Sequence, residues 1–400
     1  MKVDMESKTV KCVGCGREND SADGVCVCGY DESLEQEDIV YKPHNAITAT
    51  LDLVPGAVGT EFKATTGEIW GLDAEDVKSF ILQAERKFRL KRKNHGFITK
   101  NDLPNSTASA LRRYINGTID FKSFVNAFMQ NIKIEAALNK RRPAGGSIIF
   151  IHYHTDNEVE GLGRLFIIMV DNSSVFKFNE QLVPEVLPSI DMDALRQAVL
   201  TDLTLFDSIY SENNGEPYLQ FIAGKSSSNF FKKAIGCEED LDNNRSVEEA
   251  DRAVKDFIVH MKLKTVDKMK VLDAVKQLMH EKLKSKTNNK ISTLDIEVTI
   301  DRVLDEQSPA KGKFAKFAAI GEYKINEYFE PSINSEKKFG KVALADEEND
   351  YTCSISVNAI STDDTTKAKA IYKKGDGLLV IKLSDPDIVK MDQIFQDDKK

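Results

Sequence analysis

The runs SIIFIHYH (147–154) and RLFIIMVDN (164–172) decide the fold of this chain. Each is a near-continuous stretch of β-branched and aromatic residues, of strand length, and a polar loop joins them. A strand that alternates apolar and polar residues faces water on one side. A strand that is apolar throughout must be covered on both. The two runs therefore read as neighbouring antiparallel strands of a buried sheet.

Upstream, AITATLDLV and TEFKATTGEIW, with Pro55-Gly56 as the turn between them, read as two strands or a hairpin over 40–70. Residues 73–92 carry Val77, Phe80, Ile81, Ala84 and Phe88 at helical spacing, with Asp73 as the expected N-cap. A second helical region covers about 106–140, interrupted near Asn116-Gly117, and Pro143-Ala144-Gly145-Gly146 ends it. Downstream, SVFKFNEQLV reads as an edge strand, 189–206 as a helix after Pro188, 218–236 as a strand entering a helix, and 246–287 as helical with a loop near Thr265. The last 80 residues turn strand-rich, with YTCSISVNAI (351–360) and a hairpin, AKAIYKKGDGLLVIKL, turning at Gly375-Asp376-Gly377.

The expected fold class is α+β: a mixed or antiparallel sheet with helical segments, plus a small N-terminal zinc-ribbon-like module. Five regions are expected, at 1–36, 37–145, 146–245, 246–320 and 321–400. At 400 residues the chain exceeds what one core usually covers. With 41% hydrophobic and 30% charged residues it is a soluble globular protein, and GLGRLFIIMV, its most apolar run, is broken by Arg164 and too short to cross a membrane. The formal net charge of −9 means that any nucleic-acid binding must use a local basic patch.

Four of the six cysteines, Cys12, Cys15, Cys26 and Cys28, lie in KCVGCGRENDSADGVCVCGYDESLE as C-x2-C-x10-C-x-C. Two close pairs, each followed by glycine, suit a tetrahedral metal site, and metal would supply much of the folding energy of so small a module. Zinc is the expected metal, with iron as the rival; disulfides rank lower because the polar start MKVDMESKTV is no secretory segment. Cys237 and Cys353 are isolated and read as buried small hydrophobes in a reducing cytoplasm.

Several catalytic readings fail on spacing. Gly224-Lys225-Ser226 lacks the first glycine of a P-loop, since position 219 is Leu. GFITKNDL and NGTIDFKSF echo calcium loops but place Lys, Arg, His and Tyr at ligand positions. His152 and His154 share a strand face with no third ligand or nucleophile nearby in sequence, so a hydrogen-bonding role is expected; a nuclease built on them and Asp156 is the weakest reading. The pairs Asp191/Asp193 and Asp385/Asp387 sit near prolines at helix starts and read as caps. No enzymatic activity is expected.

Basic residues segregate. Arg86, Lys87, Arg89, Lys91, Arg92 and Lys93 cluster around Phe88 and Leu90, and Lys140, Arg141 and Arg142 precede the Pro-Gly break. Residues 262–290 hold nine lysines, among them Lys262, Lys264, Lys268 and Lys270, against three acids. Such runs form either phosphate-binding faces or ordinary solvated helix faces.

Over 145–260, GGSIIFIHYH and GRLFIIMVDN, then PSIDMDALRQAVLTDLTLF, YLQFIAGKSSSNFFKKAIGC and SVEEADRAVKDF, resemble the bacterial nucleoid-associated protein family of the NdpA type. Shorter matches extend the resemblance to roughly 40–395. It implies a cytoplasmic, nucleoid-located, non-enzymatic protein that binds DNA, or RNA, largely without sequence preference. It places Lys225, Lys232 and Lys233, beside Phe230-Phe231, in a basic strand-to-helix segment as phosphate contacts; Arg89, Lys91, Arg92, Lys93 and the lysines from Lys262 to Lys270 are the further candidates. The Cys module lies outside the family core. It raises the alternative of an interaction scaffold, or a subunit of an anti-phage defence system, that recruits a nucleic-acid-acting partner. Homo-oligomers are compatible with either reading.

Overall fold

The structure is a computed structural model, and it describes residues 10–11, 18–19, 41–56, 59–101, 103–139, 145–155, 161–171, 181–182, 195–222, 230–237, 242–345, 351–362 and 368–395. It divides into two compact units, Met1–Glu249 with Ala315–Phe329, and Ala250–Phe314 with Glu330–Lys400.

In the N-terminal region β1 (Val10–Lys11) pairs antiparallel with β2 (Glu18–Asn19). Cys12, Cys15, Cys26 and Cys28 lie outside the described residues.

The body of the first unit is one seven-stranded sheet. Its strands are β3 (Tyr41–Gly56), β4 (Gly59–Ile69), β5 (Asn94–Gly96), β6 (Gly146–Thr155), β7 (Arg164–Asp171), β8 (Leu195–Asp202) and β9 (Leu219–Ile222), in the spatial order β4-β3-β6-β7-β8-β9-β5. Every neighbouring pair is antiparallel. The runs at 147–154 and 164–172 are the middle of it, with Phe150 opposite Ile167. Because β3 and β4 join the same sheet as β6 to β9, no boundary falls at 145/146, where one was expected.

Helices cover both faces, which is why the central strands are apolar throughout. On one face Ile148, Phe150, Leu165, Ile167 and Val199 pack with α2 (Thr107–Ile115), α3 (Phe121–Leu138) and α5 (Phe230–Ile235). On the other, Ile149, Ile151, Phe166, Ile168 and Leu200 pack with α1 (Glu75–Leu90), together with Trp70. Successive residues of one strand thus enter different cores, as the two-residue period of a strand requires. Helix α1 starts with Ala74 at the N-cap and no side-chain cap, so Asp73 stands one position too early for its expected role.

The helix expected over 189–206 is corrected. Residues 195–202 form β8, between β7 and β9, and only Leu203–Ile209 is helical (α4), capped by Asp202, which accepts from Leu205 N–H at 2.9 Å. Ala198 and Leu200 enter one core and Val199 the other, a burial that a surface helix could not provide. The edge strand expected over 174–183, like Asp191 and Asp193, lies outside the described residues apart from 181 and 182. Cys237 and Cys353 are half-buried rather than buried.

Residues 315–329 return to the first unit and are tied down there by polar contacts. Asn326 accepts from the buried His95 N–H at 2.8 Å, and Glu249 accepts from Lys324 N–H at 3.0 Å.

The second unit takes in most of α6 (Asn243–His260), α7 (Thr265–Lys284) and α8 (Thr293–Val303), where Ser292 and Asp295 form a reciprocal capping box. Helix α9 (Phe314–Ile320) leads out of this unit, and α10 (Ile333–Lys338) returns to it. Its core includes Phe257, Val271, Val275, Met279, Ile296, Ile300 and Phe314. Then follow the hairpin β10 (Lys341–Ala345) with β11 (Thr352–Ser356), and a three-stranded sheet of β12 (Ile360–Ser361), β13 (Ala370–Lys373) and β14 (Leu378–Ile381). The β13–β14 hairpin turns at the expected Gly-Asp-Gly. Helix α11 (Asp385–Ile394) ends the described chain, with Ser384 at its N-cap and Asp385 and Asp387 in its first turn, where capping was expected.

Candidate nucleic-acid interface

The cluster at the end of α1 divides into cations taken up by the fold and cations left at its surface. Glu85 sits one turn before Arg89, and the Arg89 guanidinium reaches it at 3.3 Å and Glu322 at 3.8 Å. Arg164 at the start of β7 approaches the same Glu322 at 3.1 Å. Burial pushes the Glu322 carboxyl up, but Arg164 and Arg89 outweigh it and hold it below the ordinary carboxylate range. Tyr41 completes the group by donating to Glu85 at 2.6 Å.

Lys93 is buried, at 7% exposure. Its Nζ donates to Arg89 O at 2.8 Å and Phe88 O at 3.3 Å, capping the carbonyl end of α1, and lies 4.9 Å from the Phe88 ring centroid. Burial brings its pKa down to about 8, against the pull of Glu322 and Glu85. Lys93 is thus enclosed, and Arg89, only partly buried, is engaged by Glu85 and Glu322, so the fold takes up both charges. Arg92 remains exposed, 3.7 Å from Glu327 and over the Tyr328 ring, and Lys91 is half-buried.

The second candidate segment is the passage from β9 to α5. Lys225 lies outside the described residues. Lys232 is half-buried, with its Nζ 4.6 Å from the Phe221 ring centroid, and Lys233 is exposed. Phe230, Phe231, Ala234 and Ile235 are buried and hold the helix to the sheet, and Gly236, at φ 83°, closes it by donating to Lys232 O at 2.9 Å. The paired lysines thus stand on a rigid, well-packed turn.

The third group belongs to the second unit. Lys262, Lys264 and Lys270 are exposed and Lys268 is half-buried; Lys270 lies 3.5 Å from Asp267. Helix α7 buries Val271, Val275 and Met279, spaced four apart. Lys276, His280 and Lys284 follow the same spacing in line with the buried Leu272; Lys276 is half-buried, and His280 and Lys284 are exposed.

The histidines of β6 are hydrogen-bonded, as expected. His152 accepts at Nδ1 from the Tyr114 hydroxyl at 2.6 Å and donates through Nε2 to Leu162 O at 2.8 Å. Burial, with neighbouring His44 and His154 adding to it, lowers its pKa to about 4, so it stays neutral at pH 7. His154 donates through Nε2 to Gly161 O at 2.8 Å, and its ring centroid lies 4.3 Å from that of His44. Gly163, at φ 77°, lets the chain turn into β7 here; a Cβ would sit 2.5 Å from Tyr153 O. Among the described residues no group of three or more His, Cys, Asp or Glu side chains is arranged to hold a metal. None of the described helices is long and apolar enough to cross a membrane.

These features define a helix-flanked antiparallel-sheet protein whose candidate surface is a set of lysines. Residues 63–386 match the family described as nucleoid-associated protein YejK, and the chain belongs to that family. It is similar to a nucleoid-associated protein of Pseudomonas aeruginosa (strain UCBPP-PA14), 23% identical over 218 residues, covering 54% of this chain and 61% of the relative. It is also similar to one of Pseudomonas putida (strain F1), 24% identical over 221 residues, 54% of this chain and 62% of the relative. A third, from Pseudomonas savastanoi pv. phaseolicola (strain 1448A), is 27% identical over 156 residues, 37% of this chain and 43% of the relative. The chain therefore spans at most about three fifths of the length of these relatives.

Proposed function

We propose that this chain is a non-enzymatic protein of the bacterial cytoplasm that binds nucleic acid, foremost the DNA of the nucleoid, largely without regard to sequence. The observation that carries the reading is membership of the nucleoid-associated family across 63–386. The exposure of Lys233, Lys262, Lys264 and Lys270 in a chain of net charge −9 supports it. Phosphate contacts are assigned to these residues with Lys225, Lys232, Lys268, Lys91 and Arg92. A flexible cation on a rigid turn neutralises a phosphate without reading a base, so affinity would fall steeply with salt and depend little on sequence.

The four cysteines Cys12, Cys15, Cys26 and Cys28 are assigned to one zinc ion, on the strength of their spacing and donor chemistry. The module they would form lies outside the family match and is assigned to docking, of nucleic acid or of a protein partner.

The test is fluorescence anisotropy with labelled duplex DNA, single-stranded DNA and RNA across a salt series. Binding indifferent to sequence, with log affinity falling linearly in log salt by about 0.9 per contacted phosphate, supports the reading. Absence of binding at low salt overturns it.

A further inference from the structure

Among the described residues of the first unit, Tyr328 is the one tyrosine, tryptophan or phenylalanine that stands largely in water, at 47% exposure. Its neighbours in the chain are anchored. Phe329 is buried, and Glu327 N–H donates to Asn94 Oδ1 at 3.0 Å. Asn326, also buried, accepts from His95 N–H at 2.8 Å and donates its own N–H to Ser246 Oγ at 3.3 Å. The turn is therefore held by its backbone and by Phe329, and the Tyr328 ring is not needed to fasten it.

Arg92 is what the ring meets. Its Cζ lies 5.8 Å from the ring centroid, and its Nη1 donates to the Tyr328 hydroxyl at 3.5 Å. Glu327 lies 3.7 Å from Nη2 of the same guanidinium, whose side chain is 42% exposed. A flat π surface, a planar cation and one carboxylate thus share an open position on a rigid turn. Glu327 offsets the Arg92 charge, so the group by itself is a poor trap for phosphate. Any ligand it holds must be attracted by the ring.

We propose that Tyr328 is a stacking platform for an unpaired base of a single-stranded nucleic acid, with Arg92 beside it to meet the phosphate of the same nucleotide. The inference rests on the nucleic-acid reading and adds to it the state of the strand. Bases within a duplex are already stacked on both sides and have no face to offer a lone ring, whereas an unpaired base has one. Every base carries such a face, so the platform is indifferent to sequence. Stacking releases no counterions, so it adds affinity without steepening the salt dependence that the lysines set.

Fluorescence anisotropy on the full chain tests it, with a labelled oligo(dT) strand of about 20 nucleotides and a duplex of the same length. Tyr328→Ala and Tyr328→Leu are each expected to weaken oligo(dT) binding about tenfold, the worth of one stacked base, with the salt slope and the duplex affinity unchanged. Leucine keeps apolar bulk without a π face, so it separates stacking from simple packing. Tyr328→Phe keeps the ring and is expected to bind oligo(dT) within about twofold of wild type. Urea melts followed by Trp70 emission are expected to coincide for all four proteins. Either non-aromatic variant binding oligo(dT) as wild type does overturns the proposal, as does an equal loss on the duplex. Displacement of the strand by micromolar AMP also overturns it, because the platform would then serve a free nucleotide. A wild-type chain that binds the duplex but not oligo(dT) overturns this proposal alone; one that binds neither removes the nucleic-acid reading, and the platform with it.

Discussion

Replacing Lys93 by methionine isolates the cost of an enclosed charge. The folded-state pKa of about 8 lies below the ordinary lysine value of 10.5, so between those values the unfolded chain holds a proton that the folded one has released. The stability linked to this group is present above pH 10.5 and is lost as pH falls through 8. The full difference corresponds to about 3 kcal/mol. Methionine keeps much of the volume and removes the charge, but it leaves Arg89 O without the Nζ donor, at a cost of about 1–2 kcal/mol. Phe88 O keeps its bond from Lys91 N–H at 3.0 Å. At pH 7 the variant is therefore expected to be more stable than wild type by about 1–2 kcal/mol. Above pH 10 the order reverses, since the wild-type amine is then neutral and still donates. The only tryptophan, Trp70, is buried against α1, so its emission in urea melts follows this unit. Parallel stability curves for the two proteins from pH 7 to 10.5 would refute the argument. The same variant separates the structural role from a phosphate contact, for its salt slope on DNA should match wild type.

Lys232→Gln with Lys233→Gln should lower the salt slope of DNA binding by about 1 for each phosphate that is no longer neutralised, with folding unchanged; an unaltered slope would remove these two lysines from the interface. The wild-type chain should carry about one zinc by elemental analysis, and Cys12→Ser should abolish it; iron, or no metal in the wild type, would refute the zinc assignment. Phe150→Ala opens a hole where the ring meets Phe128 edge-on at 5.3 Å between centroids, and should cost about 3–5 kcal/mol in urea melts followed by Trp70 emission. His152, with its pKa brought down to about 4, binds its proton later than the unfolded chain does, so its stabilising contribution should drain away as pH falls from 6.5 through 4; His152→Gln should flatten that part of the acid limb.

The central strands were legible because their environment is written into each residue. Ile148 to Ile151 enter opposite cores in alternation, and no arrangement short of two covered faces accommodates them. The misreading of β8 arose from the same rule applied without its context. Leu195, Ala198 and Val199 fall at i, i+3 and i+4, the spacing of a helix face, and Pro188 upstream resembles a helix start. What makes 195–202 a strand is the pair of ladders offered by β7 and β9, and position 195 alone does not reveal them.

The same distinction governs the candidate site. In the run from Arg86 to Lys93 the cations look alike, yet Arg89 has Glu85 four residues before it, a helical ion-pair spacing visible from sequence, whereas Arg92 has no acid at that distance upstream. The other carboxylate of that network, Glu322, arrives from more than 200 residues away and leaves no local trace. The burial of Lys93 follows from the helix end it caps. A basic run thus becomes a candidate interface only after the cations that hold its own helix together have been removed from it. By that criterion Arg92 keeps its standing as a candidate, while Arg89 and Lys93 explain why α1 and the returning segment 315–329 stay joined. If the unit were held by these charges and the nucleic acid by the others, raising salt would strip DNA from the protein well before it weakened the buried Glu322 network, because screening acts on exposed charges far more than on enclosed ones.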